Sequence, residues 1–65
     1  MKQLGQVEVN DRVVNHMGEF TVTKVQSTTF TMTSICVVSI EGENDYGDLC
    51  WEIGYSSDEI EVNLG

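Results

Sequence analysis

Apolar and polar residues alternate along three stretches of this chain, as they do in half-buried β-strands. In FTMTSICVVSI the even positions are mostly apolar and comprise Phe30, Met32, Cys36, Val38 and Ile40. In LCWEIGY the odd positions form an unbroken apolar row of Leu49, Trp51, Ile53 and Tyr55. In IEVNL the apolar positions are Ile60, Val62 and Leu64. We expect these rows to face a core, so that Trp51 is buried and Cys50, on the opposite face, is accessible.

Turn-forming residues separate these stretches. Gly18 interrupts HMGEF, and EGENDYGD contains residues that tolerate tight or left-handed backbone, namely Gly42, Asn44, Asp45 and Gly47. Before Ile60, Ser56 or Ser57 can cap a single helical turn by accepting backbone amides. The pattern predicts a helical turn near 56–59 and strands near 7–9, 11–17, 20–26, 30–41, 48–55 and 60–63, of which the first can run into the second.

The composition also favours strands. The chain has no proline and no alanine, whereas Val, Ile and Thr are abundant. Its 65 residues form one domain at most, spanning 1–65, and a domain of this size buries only about 60% of the surface that its unfolded chain exposes. Five or six short antiparallel strands must curl to cover so thin a core. We therefore predict an all-β fold, a small five- to six-stranded antiparallel, partly open barrel.

Two stretches resemble a known class of small barrels. NDRVVNHMGEFTVTKV is similar to the opening hairpin of SH3-like barrels of the KOW and Tudor type, in which a polar turn and DRV lead to a glycine and then to an alternating strand. SSDEIEV resembles the short helical turn and the closing strand of the same folds. The resemblance implies an SH3-like barrel that acts as a binding module, because SH3-like barrels rarely perform chemistry themselves.

Formal charge is distributed unevenly along the chain. The net charge is −8, yet residues 1–40 contain three basic and three acidic residues. Residues 41–65 contain no basic residue and eight acidic ones, which are Glu41, Glu43, Asp45, Asp48, Glu52, Asp58, Glu59 and Glu61. Such a surface repels nucleic acid and anionic membranes, so we expect direct binding to neither.

Targeting signals and cysteines favour the cytoplasm. No apolar run approaches the length that spans a bilayer, and MKQLGQVEVN lacks the apolar core of a signal peptide, which predicts a cytoplasmic protein. Cys36 and Cys50 show no CxxC spacing. In a reducing compartment free thiols are the preferred interpretation, with a disulfide or a metal site as the alternative. No cofactor is expected.

Catalytic groups are sparse in this sequence. His16 lies beside the Gly18 turn, where we expect it to be solvated, and Cys50 has no basic neighbour that would stabilise a thiolate. We therefore predict that the protein is not an enzyme. The carboxylates of the acidic loop could hold calcium or magnesium weakly, but their order differs from that of an EF-hand, and no dedicated metal site is predicted.

Two functions fit this distribution of charge. In the first, alternating carboxylates imitate nucleic-acid phosphates, because residues two apart on a strand face lie about 6.6 Å apart, roughly two base-pair steps. The protein would then be an acidic inhibitor that occupies the nucleic-acid-binding surface of a host enzyme. In size and charge it resembles small phage-encoded inhibitors. In the second, the acidic residues only solubilise an SH3-like module for protein–protein interaction or assembly.

Both interpretations require a protein partner. Tyr46, which is flanked by carboxylates, is either an interface anchor or a ring that folds back over the core. A homo-oligomer is also open, because a small core often needs a partner for stability. The predicted partner-binding residues are Glu41, Glu43, Asp45, Tyr46, Asp48, Glu52, Asp58, Glu59 and Glu61.

Overall fold

Every strand pairs antiparallel with its neighbours in a single six-stranded sheet. The structure, a computed structural model, describes residues 1–63, so Leu64 of the last predicted apolar row lies outside the described residues. The strands are β1 (Lys2–Gln3), β2 (Arg12–Asn15), β3 (Gly18–Phe30), β4 (Ile35–Glu43), β5 (Leu49–Tyr55) and β6 (Glu59–Val62). Their order across the sheet is β1-β6-β2-β3-β4-β5. The predicted small, all-β, antiparallel fold is confirmed.

A short connection requires the sheet to curl. β5 forms one edge of the sheet, whereas β6 lies next to the opposite edge, and only residues 56–58 join the two strands. A 3₁₀ turn at Leu4–Gln6 fastens to this connection. The Leu4 amide donates to the Asp58 carbonyl at 2.6 Å, and the Gly5 amide donates to the Ser56 carbonyl at 3.0 Å. Since β1 and β5 do not pair, the sheet is curled but not closed.

The core is one small cluster on the inner face of the curl. Phe20 is its largest fully buried side chain. Complete burial of an apolar side chain stabilises the fold by about 1.5–3 kcal/mol, so each position contributes a substantial part of a small domain's stability. The buried apolar residues are Leu4, Val7, Val13, Phe20, Val22, Val38, Ile40, Cys50 and Ile60.

The elements predicted at 7–9 and near 56–59 differ from the structure. Residues 7–9 are not a strand, and Val7 instead enters the core from the segment that follows the 3₁₀ turn. The helical turn predicted near 56–59 is a non-helical turn, in which the Asp58 amide donates to the Tyr55 carbonyl at 3.0 Å. Within residues 1–63 no helix is long and apolar enough to cross a bilayer.

The strand predicted at 30–41 is divided by a turn. β3 extends to Phe30, which pairs with Ile35 at the start of β4, and residues 31–34 connect the two strands. The letters TMTS contain neither glycine nor proline, so the sequence carries no strong turn signal, yet Ser34 adopts left-handed backbone with a φ of 56°. Phe30 and Met32 are therefore exposed, not members of a core row as predicted, and Met32 is 98% exposed.

The apolar row of β5 faces outward, which reverses the predictions for Trp51 and Cys50. Cys50 is 2% exposed within the core, whereas Trp51 is 46% exposed. The lack of space inside the curl explains this orientation of β5, because a Cβ added to Gly54 would lie 2.7 Å from Asp58 Oδ2 and 3.1 Å from Leu4 Cδ2. Side chains alternate across a strand, so placing the small residues Cys50 and Gly54 inside puts the whole apolar row outside.

Candidate protein-binding surface

Four apolar side chains form a row along the outer face of β5, and we refer to Leu49, Trp51, Ile53 and Tyr55 as the β5 apolar row. They are between 46% and 60% exposed. Cross-strand pairs share one face of a sheet, and the β4 partners of this row, in the same order, are Glu43, Glu41, Ser39 and Val37. A contiguous exposed apolar surface on a small chain is typical of an interaction site.

Apolar surface continues from this row towards the β3–β4 hairpin. Phe30 and Ile35 form the last cross-strand pair of the hairpin, and both are exposed. An open cleft of 380 Å³ lies near the end of β5 and is lined by Ser34, Ile35, Cys36, Tyr55, Ser56 and Ser57. The outer side of β4 and β5 therefore presents apolar groups along much of its length.

Two carboxylates border the β5 apolar row. Glu41 is the cross-strand partner of Trp51, and Glu43 is the cross-strand partner of Leu49. The salt bridges among residues 1–63 join Lys2 to Asp11, and Arg12 to Glu19 and Asp45. No salt bridge in that part of the chain involves Glu41 or Glu43. Lys24 on β3 is the cross-strand partner of Glu41 on the side away from Trp51, so Glu41 and Glu43 are the charged groups directly beside the apolar row.

Hydrogen bonds from Asn44 organise the loop after β4, which projects Tyr46 into solvent. The side-chain oxygen of Asn44 accepts the amides of Tyr46 and Asp48, each at 2.9 Å. The Gly47 amide donates to the Asn44 carbonyl at 3.0 Å, and Gly47 has a φ of 83°, which a side chain would disfavour. Tyr46 is 90% exposed, so the interpretation in which its ring folds back over the core is wrong. Its role as an interface anchor remains a prediction.

The structure gathers five of the nine predicted binding residues at one end of β4 and β5. These are Glu41 and Glu43 on β4, and Asp45, Tyr46 and Asp48 in the following loop. The other four lie elsewhere: Glu52 is in the middle of β5, Asp58 is in the 56–58 turn, and Glu59 and Glu61 are on β6. In the order of the sheet, β2 and β3 separate β6 from β4.

Three of the carboxylates are engaged inside the protein. Asp45 Oδ1 accepts a hydrogen bond from Arg12 at 3.3 Å. Glu52 Oε1 accepts one from Asn15 Nδ2 at 3.2 Å, and Asp58 Oδ2 accepts the backbone amide of Tyr55 at 2.8 Å. These groups have structural partners, whereas Glu41, Glu43 and Asp48 accept no side-chain hydrogen bond among residues 1–63.

Side chains also occupy the free edge of β5. Asn15 Nδ2 donates to the Trp51 carbonyl at 3.0 Å, which ties β2 to β5 across the open side of the curl. The amides of Ile53 and Tyr55 donate to the carboxylates of Glu52 and Asp58, at 3.3 and 2.8 Å. A strand added at this edge would have to displace these bonds, so the side-chain face of β5, not its backbone edge, is the accessible surface.

Arg12 offsets part of the acidic charge. Its Nε donates to Glu19 Oε2 at 2.7 Å, and Asn63 Nδ2 donates to Glu19 Oε1 at 2.8 Å. The pKa of Glu19 is lowered from its ordinary value, first by the Asn63 hydrogen bond and then by that of Arg12. Because the Arg12 guanidinium is already bonded to Glu19 and Asp45, it does not neutralise the carboxylates beside Trp51.

The two cysteines and the histidine differ in their burial. Cys50 is buried, with its Sγ 3.8 Å from the Asp48 carbonyl, so the expectation that it is accessible is wrong. Cys36 is half-buried, and both thiols are free. His16 is exposed beside the Gly18 turn, as predicted. Among residues 1–63 no three His, Cys, Asp or Glu residues are grouped so that they could hold a metal ion.

The chain matches no family model, no curated protein and no solved structure with which it was compared. The candidate surface therefore depends on geometry alone. Sequence reasoning identified the carboxylates around Tyr46 but missed the β5 apolar row, which it assigned to the core. The signal that could have revealed the row is the pair of small residues Cys50 and Gly54 on the alternate face of the strand.

Proposed function

We propose that this protein is a non-enzymatic binding protein that attaches to a cationic protein surface through the outer face of β4 and β5. The observation that carries the proposal is the exposure of Trp51 directly beside Glu41. A tryptophan with this exposure offers a large apolar area, and the adjacent carboxylate favours a positively charged neighbour in the partner.

The aromatic side chains and the carboxylates of this surface are expected to contribute to binding in different ways. Tryptophan and tyrosine are common hot-spot residues at interfaces, where truncation of a well-buried one costs about 2 kcal/mol or more. Exposed carboxylates contribute mainly to the rate of association and to the choice of partner, and their effect declines as salt rises. We expect Trp51 and Tyr55 to supply affinity, and Glu41, Glu43 and Asp48 to supply electrostatic steering.

A nucleic-acid-binding enzyme is the cationic partner that this proposal favours. Glu41 and Glu43 lie two residues apart on one face of β4, a spacing of about 6.6 Å. A basic groove built for phosphates would accept such a row, and a protein bound there would exclude the nucleic acid. In this form of the proposal the chain is an acidic inhibitor.

A second candidate is an interaction or assembly module in which the acidic residues only keep the surface soluble. The internal bonds of Asp45, Glu52 and Asp58 favour it, because they give three of the carboxylates a structural role that needs no partner. The β5 apolar row would then carry the binding without help from charge.

The two candidates differ in their response to salt and to neutralisation. Immobilised protein is incubated with a bacterial lysate, and retained proteins are eluted by stepwise salt. The variants are Trp51→Ala and the double variant Glu41→Gln/Glu43→Gln. The matched control is Glu59→Gln/Glu61→Gln, which removes the same charge from β6.

The inhibitor proposal expects one retained nucleic-acid enzyme that elutes at moderate salt and is displaced by added DNA or RNA. This enzyme should be lost with Trp51→Ala, should elute at lower salt with Glu41→Gln/Glu43→Gln, and should be unaffected in the β6 control. A partner that resists salt and is lost only with Trp51→Ala supports the assembly module. Retention that is equal for all variants would show that the outer face of β4 and β5 is not the binding surface.

A further inference from the structure

On its β3 side the β3–β4 hairpin extends beyond β2 as an uncharged arm, whereas on the other side β5 pairs with β4 as far as Val37. Residues 25–40 contain no charged side chain, although the whole chain contains fourteen Lys, Arg, Asp and Glu residues. The molecule measures 40 × 20 × 19 Å, and β3 is its longest strand. β2 pairs with β3 only as far as Thr21, and bonds from Val22 to residues 10 and 11 extend the contact by one residue.

Beyond Val22, β3 has a strand partner on one side only. The pairs from Lys24 to Phe30 are all with β4, and no other strand of residues 1–63 pairs with this segment. We define residues 24–30 as the β3 free edge. A strand edge with unpaired backbone groups is a template for pairing with another strand.

The direction of the unpaired groups follows from the neighbouring strand. The Cys36 carbonyl accepts the Ser56 amide on the β5 side, so Cys36 and alternate residues of β4 point their backbone groups away from β3. Thr29 is the partner of Cys36 on β3, and the two residues of such a non-hydrogen-bonded pair point their backbone groups away from each other. Ser27 and Val25 lie two and four residues before Thr29, so their backbone groups point in the same direction as those of Thr29. The amides and carbonyls of Val25, Ser27 and Thr29 therefore point to the free edge.

Most of the β3 free edge lacks the features by which proteins prevent unwanted strand pairing. Edge strands are commonly protected by proline, by charged side chains, lysine above all, and by β-bulges. The bulge between Val22 and Lys24 and the charge of Lys24 lie at the start of this edge, whereas residues 25–30 contain neither a charge nor a proline. The edge of β5, in contrast, is capped by Asn15, Glu52 and Asp58.

The absence of charge on the arm makes a second copy of the chain the occupant that we favour for this edge. Two molecules that each carry a net charge of −8 repel each other wherever their acidic surfaces meet. The arm is the uncharged part of the surface, and antiparallel alignment of two arms places the two acidic bodies at opposite ends of the pair. This arrangement keeps the carboxylates of one copy away from those of the other.

We propose that two copies pair antiparallel along residues 24–30 of β3, which joins their two six-stranded sheets into one continuous sheet. The pairing uses the outward backbone groups of Val25, Ser27 and Thr29. It leaves the β5 apolar row of each copy exposed, so the dimer presents two copies of the surface described above. This inference does not depend on the proposed function.

The test is the oligomeric state in solution, measured by sedimentation equilibrium from micromolar to millimolar protein at low and high salt. The dimer fraction should rise with concentration and also with salt, because salt screens the repulsion between the acidic bodies. Binding to a cationic partner has the opposite salt dependence. A protein that remains monomeric at every concentration and salt overturns the proposal.

Two variants locate the interface. Ser27→Pro removes an amide that points to the free edge and leaves the pairing with β4 intact. Thr29→Lys adds a positive charge on the same edge, and Thr33→Lys, in the hairpin turn, is its control with the same added charge. The two edge variants should shift the monomer–dimer midpoint at least tenfold, and the control should not. Circular dichroism verifies that each variant is folded.

Hydrogen exchange gives an independent readout on the unaltered protein. The amides of Val25, Ser27 and Thr29 should exchange quickly at low concentration and become protected at high concentration. Protection confined to other residues, or a dimer that persists in both edge variants, would show that the copies meet elsewhere and would overturn the proposal.

Discussion

Trp51 lies directly opposite Glu41 on the outer face of the sheet, with one residue on the edge strand and the other on its neighbour. Any molecule that covers the indole must also accommodate the carboxylate. Removing an exposed carboxylate from water without a partner is costly, so the pair favours ligands that bring a positive charge along with apolar surface. We expect this relationship to disfavour purely apolar ligands and nucleic acid.

Gly42 is expected to be sensitive to enlargement. A Cβ at this position would overlap the Thr21 carbonyl oxygen and lie 2.8 Å from Phe20 Cδ2. Gly42→Ala should therefore reduce the free energy of unfolding by about 1–3 kcal/mol, the typical cost of overpacking a core. Urea denaturation monitored by circular dichroism measures the loss. Ser39→Ala on the outer face of the same strand is the control, and an equal effect of both substitutions would contradict the steric explanation.

Asn15 is expected to stabilise the open side of the curl. Its Nδ2 donates to the Trp51 carbonyl and to Glu52 Oε1, so one side chain links β2 to β5. Asn15→Ala should cost about 1 kcal/mol for the lost hydrogen bonds. The β5 amides should exchange faster than in the parent protein, whereas those of β2 and β3 should change little. The exposed neighbour His16→Ala is the control, and unchanged exchange in β5 would show that the Asn15 link is unimportant in solution.

Asp11 is expected to make stability depend on pH in acid. Its Oδ2 accepts the Glu8 amide and the Lys2 ammonium, each at 2.9 Å, and these bonds, the backbone one first, lower the pKa of Asp11 below its ordinary value. In the unfolded chain the pKa is about 3.9. The stabilisation is thus complete above the unfolded pKa and is lost as pH falls through the lower folded pKa.

The free energy of unfolding of the parent protein and of Asp11→Asn, measured by urea denaturation from neutral pH to about pH 2, tests this dependence. The parent should be more stable near neutrality, and the difference should narrow in acid. A difference that is constant over the whole range would mean that the side chain acts through its shape and not through its charge.

The sequence was sufficient for the fold class because the strands of the middle of the chain carry strong signals. Gly18 and Gly47 both have positive φ. Gly18 is the first residue of β3, directly after the β2–β3 turn, and Gly47 lies in the loop after β4, so both glycines mark connections that the sequence predicted. Cys36, Val38 and Ile40 face inward on β4, as their alternation indicated. The turn at 31–34 was missed because four ordinary residues form it, and Ser34 adopts a backbone conformation that its side chain does not favour.

The candidate surface was only half predictable. Acidic residues and Tyr46 are visible in the sequence as a cluster, and the loop brings them together. The orientation of β5 was not predictable from hydrophobicity, which assigns the larger apolar set to the core. The volume inside the curl determines the orientation of β5 instead. Phe20 and Leu4 already fill this space, so only small residues such as Cys50 and Gly54 fit there.

The pairing of β1 with β6 has a consequence for how the chain acquires its structure. Lys2 pairs with Ile60, and the Asn63 amide donates to the Arg12 carbonyl, so the last strand joins two early segments. These contacts close long loops, which slows folding relative to the local β3–β4 hairpin. During synthesis the hairpin can form before β6 has emerged from the ribosome, whereas β1 and β2 can pair with β6 only afterwards. Until then the nascent chain displays the uncharged β3 edge before β1 and β2 have paired with β6.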